Sequence, residues 1–321
     1  MLLHELPRQL PDALSVLQSR IGSGMVEIGQ SGELISRLLL LLAKDLFIRL
    51  PVNHSRNVIR GVLCFENEHS ELLDCKDVSV IDFLEYLFGT AFWSEAGEEA
   101  ETAFEDAYIN FSHWISMEEF ISPPDASDFE DGTSASARCD AQEWTLRHWH
   151  RTSAVQCCPL QPLVDKMIPI YFDDPDLGPD LKRMSQIFIS DKAGKNSNIG
   201  DRGYNTRTHD TIQCQSDLPY IALLLDLNRD PGPQLSATYP KRDPSDPETG
   251  RCLRIYASGM SNTTFPFLRR HPDAVERLRG ILSRQNEAPS QTTLQALVRF
   301  GSTARLRNLQ WEAQEELYSG N

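Results

Sequence analysis

Residues 163–172 (LVDKMIPIYF) and 184–192 (MSQIFISDK) constrain this chain more than any other segment. Both runs are short, apolar and rich in Ile, Phe and Tyr. Between them lies DDPDLGPD, with four aspartates, two prolines and a glycine. Such a pattern predicts two buried strands joined by a turn, because proline and glycine supply the turn dihedrals and β-branched or aromatic side chains suit a packed sheet. Residues 219–227 (PYIALLLDL) and 251–256 (RCLRIY) predict further strands.

Helices are expected on either side of this group. Residues 31–50 predict the longest one, with Ser31 able to cap its free N–H groups and Pro51 ending it. Leu34, Ile35, Leu38, Leu39, Leu42 and Leu46 cover most of its circumference, as in a helix enclosed by other elements. Arg37, Lys44 and Asp45 interrupt the run before it reaches the roughly 20 apolar residues of a membrane span. A second helix is predicted over 79–88, stopped by Gly89. A third is predicted over about 98–115, where Phe104, Ala107, Tyr108, Phe111, Trp114 and Ile115 recur at helical spacing. Further helices are expected near 273–283, 294–300 and 304–317. Residues 122–139 read as an acidic flexible loop and 229–250 as a Pro/Asp-rich loop. The whole is an α/β fold with a mixed central sheet and flanking helices, expected as a single domain over 1–321.

The formal charge of -15 on 321 residues argues against a broadly basic, phosphate-binding surface. A protein partner is the natural expectation. Nucleic acid would need a local basic rim, for which Lys182, Arg183, Lys192, Lys195, Arg202 and Arg207 are the candidates, diluted by Asp191 and Asp201. The seven cysteines are irregularly spaced and form no C-x-x-C, which suits reduced thiols in an intracellular protein, cytoplasmic or nuclear. The N-terminus carries acids and prolines and does not read as a secretory signal.

The cassette also carries candidate chemistry. An acid at the start of one strand and a lysine at the end of the next can aim at one metal and phosphate: two acids hold the cation, and the lysine stabilises developing charge. Asp165 and Lys192 fill those places. The position two before Lys192, which shares its face, is Ser190 rather than an acid. Asp191 is acidic, but alternation points it to the opposite face. Glu33, in the first turn of the long helix, is the candidate third group; it could equally pair with Arg37 four residues on. His148 and His150, flanking Trp149, with Cys157 and Cys158 make a conceivable zinc set, although their spacing matches no usual zinc pattern. An aromatic strand packed on the core is the simpler reading of that stretch.

Residues 32–45 (GELISRLLLLLAKD), 164–172 (VDKMIPIYF) and 184–196 (MSQIFISDKAGKN) resemble a family of uncharacterised basidiomycete fungal proteins. Residues 109–115 (INFSHWI) and 256–268 (YASGMSNTTFPFL) carry the same resemblance. That family is similar to the restriction-endonuclease-like PD-(D/E)xK nucleases, including Crinkler-associated and mobile-element domains. The resemblance implies a nuclease-like core using Mg or Mn. Glu33 would be the helix acid, Asp165 the first strand acid and Lys192 the lysine, with Glu33 and Asp165 as metal ligands. Ser190 stands where the second acid or glutamine belongs and weakens that set. Two functions follow as expectations: a degenerate nuclease-like domain acting on DNA or RNA, or a non-catalytic protein-interaction domain on the same scaffold.

Overall fold

A computed structural model describes residues 28–48, 76–117, 134–157, 164–175, 180–192, 218–228, 234–241 and 250–283. Two compact units divide the chain: Glu33–Pro272, and Met1–Gly32 together with Asp273–Asn321. The first unit holds a mixed sheet. Its strands are β1 (Val78–Ser79), β2 (Ala107–Ile109), β3 (His113–Ser116), β4 (Ser153–Gln156), β5 (Lys166–Phe172), β6 (Met184–Lys192), β7 (Tyr220–Asp226), β8 (Gln234–Thr238) and β9 (Cys252–Ser258). The main path runs β1-β2-β5-β6-β7-β9-β8, while β4 joins β5 and carries β3 on its outer side. Helices α1 (Ile28–Ile48), α2 (Val80–Phe88), α3 (Phe92–Ala96), α4 (Glu98–Ala103) and α5 (Ser134–His150) accompany it. This is the mixed α/β architecture with flanking helices that the sequence predicts. No helix among the described residues is long and apolar enough to cross a membrane.

The two cassette strands pair antiparallel, from Lys166 opposite Ile189 to Tyr171 opposite Met184. β6, β7 and β9 then run parallel. A strand with parallel neighbours on both edges has no solvent face, which is why residues 220–226 are all buried and read as a continuous apolar run. The other edge of β5 is shared: Lys166 and Met167 pair with β4, whereas Tyr171 and Phe172 pair with β2. Pro169, which has no N–H to donate, sits in the interval between those two partners.

Alternation divides the sheet into two faces. Val155, Met167 and Phe188 point to one face, where Trp144 of α5 packs on them. The Gln186 amide there donates to the Thr145 hydroxyl. Gln156, Lys166, Ile189 and Asp191 point to the other face, where α1 bonds to Gln156 and Asp191. Ile35, Leu39 and Leu42 of α1 recur at i, i+4 and i+7 and are buried. Each such side chain stabilises the docking by about 1.5–3 kcal/mol.

Gly89 ends α2 at φ 102, a region that favours glycine, and a Cβ there would meet the Pro266 ring at 3.2 Å. This close approach lets Phe88 stack on Phe92 and meet Phe265. In the other unit, α6 (Pro272–Ser283) buries Ala274, Val275, Leu278, Ile281 and Leu282 along one stripe.

Several expectations are corrected. The helix over about 98–115 is only Glu98–Ala103; residues 107–109 and 113–116 are strands. Ala107, Ile109 and Phe111 are all fully buried, a period of two that strand pairing exploits in place of the helical stripe. Residues 148–150 end helix α5 rather than lying on a strand. That helix also takes 134–139 out of the expected acidic loop, and β8 lies within the stretch expected as a Pro/Asp-rich loop. The remainder of those loops, and the helices expected at 294–300 and 304–317, lie outside the described residues.

Candidate functional site

The α1 face of the sheet carries a buried polar cluster inside an otherwise apolar interface. Lys166 is fully buried and its Nζ forms an ion pair with Asp191 Oδ2, on a side chain that is itself 5% exposed. Register explains the meeting: Lys166 stands opposite Ile189, and Asp191 is two residues further on the same face. Two residues of α1 close over the pair. The Ser36 hydroxyl lies 3.0 Å from both Asp191 Oδ2 and the Glu33 carbonyl, so it can donate to either. Glu33 Oε2 accepts from the Gln156 amide at 3.0 Å, and the same amide donates to the Asp165 carbonyl at 3.0 Å.

Burial acts strongly on these charges. It lowers the Lys166 ammonium pKa to about 7, against Asp165 and Glu33, which favour its charged form. Arg37 contributes in the same direction as burial. The Arg37 guanidinium is itself shifted downward by burial and held up by Glu33, which acts on it as the i, i+4 spacing anticipates. Burial raises the Asp165 carboxyl, while Lys166 and Lys192 pull it down. The Asp165 carboxylate accepts the Asp191 N–H at 2.6 Å, so it completes the backbone bonding of β6 at that point.

The three residues singled out in the sequence are related pairwise, and Lys192 is near enough to Asp165 to favour its carboxylate form. Glu33 and Asp165 are joined through Gln156. Lys192 lies with Ser190 on the opposite side of β6 and is exposed. Its register neighbours are Asp226 on β7 and, one strand on, Ser258 on β9. Asp191 does face away from Ser190, as alternation requires, but that face is the one Glu33 shares. Sequence reading missed Lys166, Gln156 and Ser36. A signal was present, since a lysine inside an apolar buried strand is tolerated only when paired.

The remaining candidates resolve separately. His148 is buried, with Nδ1 2.8 Å from the Ser153 hydroxyl, whereas His150 on the same helix end is exposed. Burial, with help from Arg151 and His113, lowers the His148 pKa to about 4. Cys157 is a buried cysteine in the thiol form. Lys182 and Arg183 precede β6 and Lys192 ends it, roughly 30 Å away at the rise of a strand. Arg183 is paired with Asp173 at 3.4 Å. Lys195, Arg202 and Arg207 lie outside the described residues.

The donor set on the α1 face does not fit a divalent cation. Its carboxylates, Glu33 and Asp191 with Asp165 beside them, lie close to the Lys166 ammonium, and a cation would have to displace that charge. Among the described residues no group of three or more His, Cys, Asp and Glu side chains is gathered as a metal site requires. No family model, curated protein or solved structure matches the chain.

Proposed function

We propose that this chain is a non-catalytic, protein-binding domain built on a restriction-endonuclease-like scaffold. The observation that carries this reading is the exchanged positions of acid and lysine on the face shared with Glu33. A working constellation of the kind the sequence resembles would take its acid from the first cassette strand and its lysine from the second. Here the first strand supplies Lys166 and the second supplies Asp191. The exchange keeps an attractive pair beneath α1, and so keeps the helix docked, while replacing a carboxylate ligand with a cation. A phosphodiester would also have to reach a lysine that is fully buried. Ser190, on the other face, restores no acid.

The charge supports a protein partner over a polyphosphate one. The chain carries -15 overall, and Glu95, Glu98, Glu99, Glu105 and Asp106 are exposed within one short stretch of α3, α4 and the turn after them. A surface of that sign repels phosphate backbones and suits a basic protein surface.

The test is cleavage of single- and double-stranded DNA and RNA with Mg²⁺ or Mn²⁺, using the wild type beside Asp165→Ala and Lys192→Ala. No cleavage by the folded wild type, and no rise in Tm on adding either metal, is the expected result. Cleavage by the wild type that both folded variants lose would overturn the proposal and restore a nuclease.

A further inference from the structure

We draw no further inference here: the strongest candidate, the row of Lys192, Asp226 and Ser258 set side by side at the carboxyl ends of β6, β7 and β9, carries nothing, because Asp226 is fully buried with the Tyr256 hydroxyl 3.3 Å from its carboxylate and nothing in the structure shows what would occupy the row.

Discussion

Lys166 and Asp191 are the residues on which the α1 interface turns. A buried ion pair is weak evidence of net stabilisation, since desolvating both charges offsets most of their attraction; removing one partner alone is costly, because the other stays buried and uncompensated. Lys166→Met leaves the Asp191 carboxylate buried with the Ser36 hydroxyl as a donor and no neighbouring ammonium. We expect this variant to lose about 3–5 kcal/mol. The double variant Lys166→Met/Asp191→Leu should equal the wild type or exceed it by up to about 4 kcal/mol. Ser36 keeps the Glu33 carbonyl and Gln156 keeps the Glu33 carboxylate in that variant. Urea midpoints at constant m-value measure both. A single variant no less stable than the double would remove the ion pair from the account.

Elements differ in how far their residues announce them. β6 was legible to the residue, and β7 and β9 to within two, because an apolar run bounded by turn residues has few other solutions in a parallel sheet. α2 was equally plain, since Gly89 is required at its end by both φ and the nearness of Pro266. Residues 107–116 were not. Their aromatic spacing satisfies a helix, and only β5 and β4, distant in sequence, make the strand the better choice. Lys166, Gln156 and Ser36 were missed for a related reason: which face of β6 meets Glu33 depends on where α1 lands, and no local pattern encodes that. The end of α5 carries a consequence of the same kind. His148, held near Ser153 of β4, stays neutral in the fold down to about pH 4, whereas an ordinary histidine takes a proton near 6.5. Between those values the unfolded state binds more protons, so the α5–β4 junction should weaken as the solution is acidified. Comparing urea midpoints of the wild type and His148→Gln from pH 6.5 to 5 isolates this group from most carboxylates. A wild-type midpoint that falls no faster than the variant's would show that His148 does not contribute.

At the scale of the whole molecule, charge decides which partners can be held. Affinity for a duplex comes largely from lysines and arginines that lie along one track and release counterions from neighbouring phosphates. The described cations flanking β6 form no such track. Lys182 and Arg183 stand at one end of β6 and Lys192 at the other, Arg183 is engaged by Asp173, and Lys241 lies 3.6 Å from Glu99. Against them stands a formal charge of -15, which raises the cost of approach for a polyphosphate. We therefore expect no retarded band when the protein is mixed with duplex DNA or structured RNA at about 0.15 M salt, where surface charges are screened beyond about 8 Å. Lowering the salt should not rescue binding, because weaker screening strengthens repulsion from the acids as much as attraction to the cations. Lys192→Ala should leave this result unchanged. A complex that forms at low salt, dissociates steeply as salt rises, and weakens in Lys192→Ala would instead locate a phosphate-binding surface at the carboxyl end of β6. The preference for a protein partner would then be wrong, even with catalysis absent.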